Sequence, residues 1–83
     1  MKRTTVRPIY LIAREIQADW SNPYFGAKPY LQAMFSLNRI DDNYRLDSAE
    51  SIISYFLANA RTWRGKVAKR IKAELRQLLQ SNH

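Results

Sequence analysis

Residues 62–80 read T-W-R-G-K-V-A-K-R-I-K-A-E-L-R-Q-L-L-Q, and this stretch decides the fold. With Trp63 at the origin and roughly 100° added per residue, Val67, Ile71, Leu75, Leu78 and Leu79 fall within an arc of roughly 40° to 160°. Lys66, Lys69, Arg70, Lys72 and Arg76 fall between roughly 180° and 340° on the same wheel. A half-buried strand would alternate at period two, and this segment does not. The spacing predicts an amphipathic helix over 63–80, with Thr62 as its cap. Such an apolar stripe has to be covered, so the rest of the chain must supply apolar partners.

It does so three times. Ala49, Ile52, Ile53, Phe56, Leu57 and Ala60 trace one face of a helix predicted over 48–60. Asp47 and Glu50 form a capping box at its start, and Asn59 or Arg61 ends it. Tyr30, Leu31, Ala33, Met34, Phe35 and Leu37 are apolar on nearly every side, which predicts a buried helix over 28–37 that stops at Asn38. Ile9, Ile12, Ala13, Ile16 and Trp20 predict a first helix over 8–20, with Pro8 at the first helical position and Arg7 at the cap. Pro23 disfavours helical geometry in Asn22 and so closes that helix. Segments 21–29 and 38–46 are left as loops. The fold class is all-α: a compact bundle of about four helices in a single domain over 1–83, with a short basic arm at 1–7. No internal repeat, low-complexity segment or long period-two run interrupts it.

Eighty-three residues suffice for one modest core. The absence of cysteine rules out disulfides and thiolate metal sites, and the single histidine, His83, stands at the last position. With only Gly26 and Gly65, there is no Gly-rich phosphate loop. The adjacent carboxylates Asp41 and Asp42 lie in a polar loop, where solvation is the ordinary state. The expectation is a non-enzyme with no catalytic residues, metal or cofactor. Met1, Lys2 and Arg3 ahead of the apolar run 9–13 imitate a signal peptide, but Arg14 and Glu15 end the run too soon. No stretch approaches the about 18 apolar residues of a membrane span. A cytoplasmic protein without a membrane partner is therefore expected.

The net charge of +7 is unevenly placed. Residues 61–76 carry seven cations against Glu74 alone, residues 1–14 carry four cations unopposed, and residues 15–60 carry six carboxylates against Lys28, Arg39 and Arg45. Solvated helix faces ordinarily mix both signs, so the near-uniform face of the last helix stands out. Arg61, Arg64 and Lys66 also crowd its amino end, where the helix dipole favours anions. A phosphate there would meet free N–H groups and cations together. The expected nucleic-acid or polyanion-binding residues are Arg64, Lys66, Lys69, Arg70, Lys72 and Arg76. Two other readings stay open: a merely solvated face, and a face for an acidic protein. The third and fourth helices match a helix-turn-helix only weakly, because the turn lacks its usual glycine and Gly65 falls inside the second helix.

The loop 20–30 gathers Trp20, Tyr24, Phe25 and Tyr30 around Lys28. Aromatics beside a cation can stack bases or anchor a protein partner. The structural reading is a satellite core that holds the proline-rich loop down, with Tyr24 and Lys28 at the surface as possible partner contacts.

The strings W-S-N-P-Y-F-G-A-K-P-Y-L-Q-A-M (20–34) and Y-F-L-A-N-A-R-T-W-R-G-K-V-A-K-R-I-K-A-E-L (55–75) resemble a group of small helical proteins carried by bacterial phages, plasmids and conjugative elements. The resemblance covers most of residues 9–79. It implies an accessory protein of a mobile element acting in the host cytoplasm, and it favours DNA-related roles or inhibition of a host protein over metabolism. It brings no functional residue with it.

The leading expectation is a non-catalytic helical protein that binds nucleic-acid phosphates without reading sequence, with Lys2 and Arg3 assisting. The alternative is a protein–protein module or inhibitor whose aromatic loop anchors an acidic partner steered by the basic helix. A homodimer burying Phe35 or Leu79 fits either.

Overall fold

Each apolar stripe becomes a helix, and the four stripes meet in one core. A computed structural model describes residues 6–81 and gives α1 (Ile9–Asp19), α2 (Lys28–Met34), α3 (Ala49–Ala58) and α4 (Lys66–Ser81). α2 packs on α3 and α1 packs on α4. Ile9, Ile12 and Ile16 of α1, Leu31 and Met34 of α2, Ile52, Ile53 and Phe56 of α3, and Ile71 and Leu75 of α4 are all buried. Each such side chain contributes about 1.5–3 kcal/mol of transfer free energy, so the ten together form the main stabilising term. No polar or charged residue is buried among the described residues. The chain is a small, mostly helical bundle, as its periodicity predicts. No helix of the described residues is long and apolar enough to cross a membrane.

The helix ends differ from expectation in instructive ways. Pro8 occupies the cap of α1 rather than its first turn, with φ −58° and ψ 143°. The first free donors of α1 are met by another segment: the Ile9 N–H donates to the Asn38 carbonyl and the Tyr10 N–H to the Leu37 carbonyl, both at 2.9 Å. α2 ends at Met34, three residues early. Residues 35–37 continue as tighter turns, with the N–H of each bonded to the carbonyl three residues back, and Leu37 still reaches the core.

The cap of α3 is Ser48 rather than Asp47; its hydroxyl accepts the Ser51 N–H at 3.1 Å. Asp47 is drawn away because it pairs with Tyr44 in a small antiparallel hairpin, β1 (Asn43–Tyr44) with β2 (Asp47–Ser48). The segment 38–46, expected as loop, thus contains a strand and most of a hairpin turn. No Asn-Gly pair announces it; Arg45 instead takes the positive φ of 59° at the tip, and Leu46 beside it is fully exposed. Asp42 organises the preceding turn, where its Oδ2 accepts the backbone N–H groups of Asn38 and Arg39, both at 2.9 Å. Those donors, Arg39's first, hold its carboxyl below the usual range. Asp41 pairs with Arg39. Both carboxylates therefore have local structural work.

Candidate nucleic-acid interface

The basic surface is built by the segment between α3 and α4. α4 begins at Lys66, later than the sequence predicts, so Trp63 and Arg64 precede it. Gly65 sets that boundary: its φ is +115°, a conformation rarely open to other L-residues, and its carbonyl accepts the Lys69 N–H at 2.9 Å as the first bond of the helix. Gly65 thus lies in the connection and not inside the helix. No acidic side chain occupies the first turn of α4, whose leading N–H groups have no acceptor within the helix.

Trp63 pins this connection down. Its indole is buried and stacks on Trp20 at the end of α1, with centroids 5.7 Å apart and planes 8° from parallel. Phe56 of α3 meets both rings edge-on at 6.3 Å. The indole N–H donates to Asp19 Oδ2 at 2.8 Å, so the buried ring leaves no donor unpaired. From the other side, Lys72 Nζ donates to the Trp63 carbonyl at 2.6 Å and lies 5.9 Å from the ring centroid. The strap 59–65 is therefore fixed to three helices, and the cations beside Trp63 are held on a rigid base.

The structure divides the six expected phosphate-binding residues. Arg64, Lys69, Lys72 and Arg76 line a depression of about 270 Å³ together with Trp63, Gly65 and Ala68, running from the strap along the first three turns of α4. Lys66 is exposed at the first position of the helix, outside that lining. Arg70 lies on another face and pairs with Glu15 of α1. Lys72 is half-buried and its ammonium is held below the ordinary lysine value, first by burial and then by the charges of Arg76 and Arg64. Among the described residues, the side chains of Arg61, Arg64, Lys66, Lys69 and Arg76 form no ion pair or hydrogen bond. Lys2 and Arg3 lie outside the described residues.

The loop 20–30 also divides. Trp20 and Tyr30 pack against the core, as a satellite-core reading predicts. Phe25 does not: 75% of its surface is exposed, more than the 48% of Tyr24. Tyr24 lines a cleft of about 500 Å³ together with Asn59, Arg61, Thr62 and Arg64. Lys28, the other expected contact, is exposed in a separate cleft with Gln17, Ser21 and Gln32. Phe25 and Arg61 are the residues that sequence reasoning missed. Arg61 was visible as part of the charge run; Phe25 sits in an aperiodic stretch whose spacing says nothing of exposure. Phe35 and Leu79, the residues expected to close a homodimer, are partly buried against the core of their own chain.

The apolar stripe of α4 faces the core through Ala68, Ile71, Leu75 and Leu78. Among the described residues, no three His, Asp or Glu side chains gather within reach of one metal ion. Compared with known protein families, with curated proteins and with solved structures, the chain shows no match.

Proposed function

We propose that this chain is a non-catalytic protein that binds nucleic acid through its phosphates, an accessory protein of a bacterial mobile element acting in the cytoplasm. One observation carries the reading: among the described residues Arg61, Arg64, Lys66, Lys69 and Arg76 have no carboxylate partner, and Arg64, Lys69 and Arg76 line one depression along α4. A surface whose charges served only folding would place carboxylates among them, as the opposite flank of α4 does. The dipole of a 16-residue helix adds to the same positive potential. Arg64, Lys66, Lys69 and Arg76 contact phosphates, with Arg61 at the edge. Arg70 and Lys72 act from behind, one neutralised by Glu15 and the other bracing Trp63. Binding through phosphates is tolerant of sequence and steep in salt.

The test is anisotropy of a labelled duplex titrated with the protein at several salt concentrations. Four phosphate contacts give a slope of log affinity against log salt of about −3.6. Absence of binding at low salt overturns the proposal. The exposed Phe25 favours a second reading, an acidic protein anchored on that ring, which predicts no retention on DNA and capture of an acidic partner instead.

A further inference from the structure

We propose that Tyr24 and Phe25, together with Arg61 and Arg64, form a cradle for an unpaired base and its flanking phosphate, so that the surface prefers single-stranded nucleic acid to duplex. This rests on the phosphate-binding reading above and adds to it the strandedness of the ligand.

The first argument is the exposure of the rings. Phe25 is the most apolar side chain of its loop, and three-quarters of it faces solvent. Its ring meets that of Tyr24, with centroids 4.9 Å apart and planes tilted by 58°. Both rings of the pair are exposed to solvent.

The second argument is the rigidity of the turn that carries them. The Ala27 N–H donates to the Tyr24 carbonyl at 2.8 Å and the Lys28 N–H to the Phe25 carbonyl at 3.3 Å, while Ala27 itself is buried. Gly26 lies so close to α3 that a Cβ there would come within 2.7 Å of the Tyr24 ring and 2.8 Å of Asn59 Oδ1. The missing side chain lets the loop sit against the end of α3, which sets Tyr24 beside the strap. A platform ordered before binding avoids the cost of ordering it afterwards.

The third argument is charge. Tyr24 shares its cleft with Arg61 and Arg64 and, among the described residues, with no carboxylate. Arg64 also borders the depression formed with Lys69 and Arg76, so the cations continue from the aromatic cleft along α4. Aromatic faces beside a track of cations are the two components of sequence-tolerant single-strand binding: phosphates follow the charges and bases stack on the rings. A duplex uses only the charges, because its base faces are already stacked on one another.

The experiment compares the full chain with its Tyr24→Ala/Phe25→Ala variant by anisotropy at about 0.1 M salt. The probes are a labelled thymidylate oligomer of about 20 nucleotides, its uridylate counterpart and a duplex of the same length, each longer than one site. Both rings are exposed, so the variant should keep the melting curve of the parent. The expected result is tighter binding of the thymidylate oligomer than of the duplex. Loss of the two rings should weaken oligomer binding about 10- to 100-fold and change duplex binding less than about twofold. A Phe25→Trp variant should restore most of the loss when built on Tyr24. Base faces and phosphates are common to DNA and RNA, so the uridylate oligomer should show the same ring dependence; dependence in one polymer alone identifies that polymer as the ligand. If both forms bind and the rings make no difference, the cradle is wrong and the phosphate reading stands. If neither form binds, the phosphate reading fails and the cradle with it.

Discussion

The two flanks of α4 carry similar charges and have opposite fates. On the flank facing α1, Arg7 grips Glu74 with two parallel bonds of 3.0 and 2.8 Å and reaches Glu15 at 2.9 Å, while Arg70 pairs with the same Glu15. Two guanidiniums and two carboxylates form a neutral, half-buried network joining the chain's start to α1 and α4. In the preceding strap and on the other flank of the helix, Arg61, Arg64, Lys66, Lys69 and Arg76 have no such partners among the described residues. A charge run in one dimension thus contains a clamp and a binding surface. What separates them is which helix lies alongside: α1 brings the Glu15 carboxylate to one flank, and among the described residues no carboxylate pairs with a cation of the other.

The strongest way to break this comparison is to remove the base on which the unpaired cations stand. Trp63→Ala deletes a buried indole, two aromatic contacts and the bond to Asp19, and should cost about 3–5 kcal/mol. Chemical denaturation would read the loss. Stability equal to that of the parent would show that the strap is not fixed by this ring.

Next comes neutralisation of the open flank. Lys69→Gln with Arg76→Gln removes two phosphate contacts and should lower duplex affinity about 60-fold at about 0.1 M salt, with the salt slope shallower by about 1.8. Stability should move by no more than about 0.5 kcal/mol, since neither side chain is paired. The double variant Arg70→Gln/Glu15→Gln, made on the neutral flank, is the control and should leave the slope alone.

A smaller effect is expected at Gly65. An alanine meets no atom within 4 Å there, so the cost is purely one of backbone conformation. Gly65→Ala should destabilise by about 1–2 kcal/mol, measurable as a lower Tm, while insertion of bulk elsewhere in the strap would act through packing instead.

The smallest effect belongs to the clamp. Arg70 first, and then Arg7, hold the Glu15 carboxyl below its ordinary value. A depressed carboxylate contributes stability above the unfolded pKa of about 4.3 and loses it as pH falls through the folded value. Glu15 is one-third exposed, so the contribution is about 1 kcal/mol or less. The gap in melting temperature between the parent and Glu15→Gln should be open at neutral pH and narrow near pH 3; equal melting at neutral pH would show that the pairs carry no stability.

Much of the fold was legible because helical periodicity is local. Ile52, Ile53 and Phe56, like Ile71 and Leu75, announce their burial through spacing alone, and the structure buries them. The boundaries were less legible. Asp47 and Ser48 are both good caps in isolation, and only the pairing of Asp47 with Tyr44 selects Ser48. Trp63 continues the apolar stripe on a helical wheel, yet it lies outside α4, because burial against Trp20 and Phe56 satisfies it as well as a helical position would.

The candidate site shows the same division. Composition gathers cations in 61–76, and that much needs no structure. Pairing between segments far apart in the chain does: Arg70 meets Glu15 and Arg7 meets Glu74 only when α1 packs on α4. Sequence by itself determined the helices, the core faces and the excess of positive charge, since each follows from neighbours within a few residues. Tertiary structure alone decided which cations are neutralised, that Phe25 faces solvent, and that Tyr24 lies beside Arg61 and Arg64. Those facts depend on contacts between distant segments, and no local pattern encodes the distance across which a charge finds its partner.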